Sequence, residues 1–382
     1  MTQIARILVC VSLLAGCGNL ASIPGLGPGL SKEQLLAGEP ILKGQPLPEL
    51  PEVDLLAVTP EMREFLNAYV DPEGTDRERL HQLQYAIITK GTFGISYNDR
   101  TRTAAHTFRT RSGNCLSFTS MFIALAREAQ LKASFQEVEI PPSWEQQGST
   151  MVFNRHINVS IGTSSRGLQG GERIVDFNIV DFKASYKRKK VSDTRAAAHF
   201  YSNLGVDKLQ ANQLLDSFLH FRRGLEVDPR FGPLWTNLGA LYSMAGAPDY
   251  AEASYFQALK GSGSDTVALS NLARLYDRQG KASLAASYRN KVTRHRARNP
   301  YYRAAQAREA YDGGDYNNAK KHIRFALSKK PEEAAFHHLL GKVFISLGEP
   351  EKAKSALERA EELSPDKSFE GSFNKSIREN LD

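Results

Sequence analysis

Cysteine is scarce in this chain: three occur in 382 residues, Cys10, Cys17 and Cys115, and no two have the Cys-x-x-Cys spacing. That excludes a disulfide framework. Because His337 and His338 are adjacent rather than a helical turn apart, it also leaves no zinc pattern. No metal and no cofactor is expected. Long apolar runs are lacking as well, since nothing after residue 20 approaches the roughly 20 apolar residues a spanning helix needs. Nor is there a large excess of one charge: 49 Lys and Arg stand against 42 Asp and Glu, a net +7. The basic residues gather in two runs, Lys183 to Lys190 and Arg289 to Arg303. Such runs are solvated faces or contacts to an anionic surface or acidic protein. With 41% apolar residues, the chain has material for two domains with real cores.

The first twenty residues form an export pattern. Arg6 supplies a basic start, and Ile7 to Ala15 an apolar segment too short to span a bilayer. Leu14-Ala15-Gly16-Cys17 resembles the lipobox of bacterial lipoproteins. The resemblance implies a signal over residues 1–16 and an acylated Cys17 at the head of the mature chain. It also implies a lipid-anchored place in the bacterial cell envelope, and Gly18 after the Cys implies the outer membrane, facing the periplasm. The membrane is then a partner through that lipid, nucleic acid is not expected, and Cys115 is left as the one free thiol. Residues 17–56 carry Gly25, Gly27, Gly29, Pro24, Pro28, Pro40, Pro46, Pro48 and Pro51 with little apolar periodicity, which predicts a flexible tether.

From Pro60 the pattern turns helical. Met62, Phe65, Leu66 and Tyr69 form one stripe, and Leu80, Leu83, Ile87 and Ile88 another. Thr92 to Asp99 reads as a loop. Ser112-Gly113-Asn114-Cys115 then opens a helix whose apolar face is Phe118, Met121, Phe122, Leu125 and Ala129. A lone Cys is often simply buried, but this one sits in the first turn. Unpaired backbone N–H groups and the positive end of the dipole favour a thiolate there, Gly113 permits a tight approach, and Asn114 can cap.

Beyond this helix the period becomes two. Ser134 to Ile140, Val152 to Ile161 and Arg173 to Asp181 read as strands. In the second, Ile157, Val159 and Ile161 share one face, and Asn154, His156, Asn158 and Ser160 the other. In the third, Asp176 and Asn178 share a face opposite to Asp181, which favours Asp176 as a partner for His156. Cys, His and Asp in this order can assemble a catalytic triad: Cys115 attacks as thiolate, His156 moves the proton, and Asp176 fixes the imidazole. The Cys115 N–H would serve an oxyanion hole whose second donor the sequence does not identify.

At Ser112-Gly113-Asn114-Cys115, the helix end Leu125-Ala126-Arg127-Glu128-Ala129, His156 and Asp176, the chain resembles the transglutaminase-like superfamily within the papain-like fold. The resemblance implies an α+β domain over 57–190 and thiol-dependent amide chemistry, with inactive relatives known in the same superfamily. Many relatives have His-x-Trp and a Pro after the Asp; here the corresponding residues are His156-Ile157-Asn158 and Asp176-Phe177.

A 34-residue period follows. Leu204-Gly205, Leu238-Gly239, Leu272-Ala273, Gln306-Ala307 and Leu340-Gly341 mark equivalent places in five units, as do Ser217, Ala251, Ala285, Ala319 and Ala353. Pro229, Pro331 and Pro365 close units, Trp235 and Tyr242 fill aromatic places in unit two, and Arg289 stands in an aromatic slot of unit three. This is the tetratricopeptide (TPR) signature. It predicts an all-α superhelix over 198–365 with a groove for a protein or peptide, followed by a capping tail over 366–382. The two domains are expected to be separable, so that deleting residues from 198 leaves the first one folded. Two functions fit: an envelope-anchored cysteine hydrolase or acyltransferase that captures proteins through its repeats, or a non-catalytic envelope scaffold built on the same two parts.

Overall fold

The computed structural model describes residues 29–88, 93–138, 156–162, 172–177, 188–261 and 265–363. The signal segment, Cys17, Asn154, Asn178, Asp181, Lys183, Tyr186, Pro365 and the tail over 366–382 lie outside the described residues.

Two short helices come first, α1 (Lys32–Ala37) and α2 (Glu39–Leu42). Ser31 and Gln34 form a capping box at the start of α1. Then come α3 (Pro60–Tyr69), α4 (Asp76–Ile88), β1 (Ser96–Tyr97), α5 (Ala104–Thr110), β2 (Ser112–Gly113) and α6 (Cys115–Glu128). Strands β3 (Lys132–Val138), β4 (His156–Gly162), β5 (Glu172–Val175) and β6 (Arg188–Val191) form an antiparallel sheet in the order β5-β4-β3-β6. Two residues of the expected loop over 92–99 are the strand β1, which pairs in parallel with β2. Helix α5 follows, capped by Thr103.

Helix α6 is the axle of this domain. Every residue from Leu116 to Ala126 is buried, polar Ser117, Thr119 and Ser120 included. A helix enclosed on all sides needs its polar groups satisfied locally. Ser120 Oγ donates to Leu116 O, and Thr119 Oγ1 donates across to Ile157 O at 3.2 Å. Phe118, Met121, Phe122 and Leu125 pack with Phe135, Ile157, Val159 and Ile161 in one core.

The repeats are antiparallel helix pairs: α7 (Asp193–Gln210) with α8 (Leu214–Val227), α9 (Gly232–Met244) with α10 (Pro248–Gly261), and α11 (Thr266–Arg278) with α12 (Ala282–Arg298). Two more follow, α13 (Pro300–Asp312) with α14 (Tyr316–Lys329) and α15 (Ala334–Ser346) with α16 (Pro350–Glu362). Close helix approach explains the period: a Cβ on Gly205, Gly239 or Gly341 would lie 2.4, 2.6 or 2.4 Å from Phe221, Tyr255 or Leu357, each sixteen residues on. In unit three Arg289 leaves its slot for an ion pair with Asp277, and Tyr288 makes the aromatic contact, on Tyr276.

Two expectations are corrected. From residue 31 the supposed tether is part of the body. Leu35 is wholly buried in the repeat core, and Leu36, Ile41 and Leu50 pack against the same cluster. Leu55 enters the core of the α6 domain. Tyr242 Oη donates to Leu35 O, Arg223 pairs with Glu52 at 3.1 Å, and Val53 N donates to Tyr201 Oη at 3.4 Å. The expected boundary at 198 falls inside a helix. Helix α7 belongs to both: Ala196, Phe200 and Tyr201 sit in the α6 core, and Ala198 in the repeat core. Arg127 of α6 forks onto Asp193 at 2.6 and 2.9 Å, and His199 contacts Glu137 of β3 at 2.9 Å. No helix among the described residues is long and apolar enough to cross a membrane.

Candidate active site

The turn before α6 is built around Ser117. Its hydroxyl accepts from Arg102 N at 2.8 Å and lies 2.9 Å from Asn114 Oδ1. Asn114 caps the helix by accepting from Ser117 N at 3.0 Å. A Cβ on Gly113 would sit 2.5 Å from Ser117 Cβ, so only glycine lets the chain pass here. The other end of Asn114 donates to Thr101 Oγ1 at 2.7 Å, and the same hydroxyl accepts from Asn203 of α7 at 3.0 Å. The first repeat thus braces the cap of the helix that carries Cys115.

Cys115 heads α6 and is half-buried. Pairing of Tyr97 with Gly113 brings the phenol to the thiol, with Sγ 3.9 Å from Oη. His156 opens β4, and its Nε2 lies 2.7 Å from both carboxylate oxygens of Asp176 at the end of β5. With Nε2 taken by the carboxylate, the other ring nitrogen is the one left for Cys115, whose sulfur is near enough to favour the protonated imidazole. Asn158 holds Asp176 from the other side, donating Nδ2 to Oδ2 at 2.8 Å. The His156 and Asp176 side chains are only 5% and 7% exposed, so their charges interact with little screening by water.

Burial alone would push the His156 imidazolium down. The hydrogen bond to Asp176 and the nearness of Cys115, with their charges, outweigh it and raise the value from 6.5 to about 9. The resting imidazole is therefore protonated at neutral pH and faces a sulfur at the positive end of a helix. The structure brings Cys115, His156 and Asp176 together; Asp181 and Cys17 lie outside the described residues.

Tyr97, Asn158 and Asn203 were not assigned roles from the sequence. Asn158 carried a usable signal, because strand alternation sets it on the face of His156. Tyr97 carried none, since a two-residue strand has no periodicity.

Among known proteins, residues 63–160 match the transglutaminase-like superfamily and residues 310–369 the tetratricopeptide repeat. The chain thus joins a transglutaminase-like domain to a TPR superhelix. The cellulose synthase operon protein C of Xanthomonas axonopodis pv. citri (strain 306) is 29% identical over 160 residues, which is 40% of this chain. The chain spans 10% of that relative's length. Two solved structures also match. The MamA protein is 16% identical at a TM-score of 0.25, over 45% of this chain and 94% of that one. PilF of Pseudomonas aeruginosa is 16% identical at a TM-score of 0.27, over 46% of this chain and 80% of that one.

Proposed function

We propose that the protein is an envelope-anchored, thiol-dependent amide hydrolase or acyltransferase, with repeats that bind its protein partner. One observation carries the reading: a buried His156–Asp176 pair at 2.7 Å beside the half-buried Cys115, which heads a helix and lies near enough to act on the imidazole's charge. In the chemistry this supports, the Cys115 thiolate attacks a carbonyl carbon and the C–O double bond opens to an oxyanion. The Cys115 N–H donates to that oxygen, and the Tyr97 hydroxyl, 3.9 Å from the sulfur, supplies the second donor. The His156 proton passes to the departing amine as the C–N bond breaks, leaving a thioester on Cys115. Imidazole then takes a proton from water or an acceptor amine, whose O or N bonds to the thioester carbon; the C–S bond breaks, the acyl group leaves on that atom, and the Cys115 thiolate and protonated His156 are regenerated. Asp176 keeps the ring oriented throughout, and Asn158 keeps Asp176 in place.

The setting has its own support. The lipobox at Leu14 to Cys17 favours a lipid anchor, and the relative named for a cellulose synthase operon favours a role beside a cellulose synthase. The test of chemistry is an ester burst. With an activated acetyl ester, the chain should release about one equivalent of alcohol before steady turnover, and Cys115→Ala should release none. Absence of a burst from the unsubstituted chain would instead leave the two domains as a binding scaffold. For the anchor, Cys17→Ser should move the protein out of membrane fractions washed at about 0.5 M NaCl, where surface charge is screened; unchanged fractionation after that wash would remove the lipid from the account.

A further inference from the structure

Between Arg274 and Lys330 stand fifteen Lys and Arg against four Asp and Glu, an excess larger than the +7 of the whole chain. The TPR register shows where part of it points. One outward place of the second helix in units one to four is held by Leu219, Ala253, Ser287 and Lys321, and the place three residues on by Arg222, Phe256, Asn290 and Arg324; unit five has Ser355 and Glu358 there. In units one and two this face is covered. Leu219 and Ala253 are each only 8% exposed, because α2 packs on α8, α1 packs on α10, and Leu50 closes over the same cluster. In units three and four the same places are open and polar, with Ser287, Asn290, Lys321 and Arg324 all exposed.

On α12 the open stripe continues through Arg294 and Arg298, one and two turns beyond Asn290, both exposed. Neighbouring cations are neutralised, Arg289 by Asp277 and Lys320 by Glu349. Arg294, Arg298, Lys321 and Arg324 make no ion pair with a described residue.

We propose that this outer face of units three and four docks on an anionic phospholipid bilayer. Two observations favour a bilayer over an acidic polypeptide. The cations continue the face that α1 and α2 cover in units one and two, and they are spread over two helices, as a plane of headgroups requires. The covered half of the same layer also holds the arm that leads back to Cys17. From Cys17 to Leu30 is thirteen residues, no more than about 45 Å of extended chain. This second observation rests on the lipid-anchor reading; the charge complementarity does not. A lipid at Cys17 would then hold the molecule near the bilayer while the cationic stripe fixes which side faces it.

The experiment uses the full chain carrying Cys17→Ser, so that no acyl group contributes, and co-sedimentation with vesicles of phosphatidylglycerol or of phosphatidylcholine. Any pull of the apolar signal segment acts on both vesicles and cancels in their ratio. The account expects at least about tenfold tighter association with the anionic vesicles at low salt, and loss of the preference near about 0.5 M NaCl. The triple variant Arg294→Glu, Lys321→Glu, Arg324→Glu should lose it, and Arg294→Gln with Lys321→Gln should weaken it with unchanged thermal unfolding. If the triple variant unfolds, the double variant decides. Equal association of the parent with both vesicles overturns the proposal, and so does a preference intact in the folded variants. Binding to polyglutamate without binding to anionic vesicles overturns it too and assigns the stripe to an acidic polypeptide. Failure of the anchor alone shows separately, as membrane fractionation of Cys17→Ser that is unchanged after a wash at about 0.5 M NaCl, beside an intact vesicle preference at low salt.

Discussion

Asp176 acts on His156 twice, by orienting the ring through Nε2 and by holding its proton against the pull of burial. In Asp176→Asn the charge is gone and burial remains, so the imidazole should titrate below its present value of about 9 and the alkaline limb of any thiol reactivity should move down with it. A pH series of alkylation rates checks this. The same group links to stability. Its folded value lies above the ordinary 6.5, so its contribution is fully present below about 6.5 and is lost as pH rises through about 9. Tyr97→Phe should slow acylation by roughly tenfold or more through loss of one oxyanion donor, while leaving thermal unfolding nearly unchanged. His156 and Asp176 were legible because strand alternation is a two-residue rule that needs no tertiary knowledge. Tyr97 was hidden because a chain crossing, the pairing of β1 with β2, brings it to the thiol.

At the scale of the element, α6 shows how much a short sequence can specify. Gly113, Asn114 and the apolar run after Cys115 announced the helix, its cap and its tight entry. The structure adds why the entry is tight: Ser117 fills the space beside Gly113. Gly113→Ala should therefore cost about 1–3 kcal/mol, read by thermal unfolding, because the added methyl group meets Ser117 at 2.5 Å. Helix α7 was misread for the opposite reason. Its 34-residue signature identified it as repeat one, but the signature says nothing of its other face, where Phe200 and Tyr201 complete the α6 core. Asn203→Ala should loosen Thr101 and with it the cap at Asn114, which slows Cys115 alkylation without removing the fold.

For the whole molecule, the shared helix and the clamped arm tie the two domains together, and they are expected to unfold as one. Deletion from residue 198 takes away Phe200, Tyr201 and Asn203 together. The truncated chain should melt at lower temperature with a broadened transition, and its Cys115 should lose the His156-dependent reactivity. Leu35→Ala, at a fully buried position in the arm, should cost about 2–4 kcal/mol. The arm read as a tether because its apolar residues, Leu35, Leu42, Leu50 and Leu55, are spaced among Pro and Gly with no period of their own. Each is covered, Leu50 partly and the others almost wholly, by a surface supplied from elsewhere in the chain, and periodicity detects only faces that an element makes for itself.

The central claim is that Cys115 works with a protonated His156. The most direct measurement is the rate of Cys115 alkylation by iodoacetamide across pH, in the full chain and in His156→Ala. The account predicts reactivity already present near pH 6–7, a change in rate as pH passes about 9, and loss of the neutral-pH reactivity in the variant. A rate near zero at neutral pH, rising only in alkali and identical in His156→Ala, would contradict it.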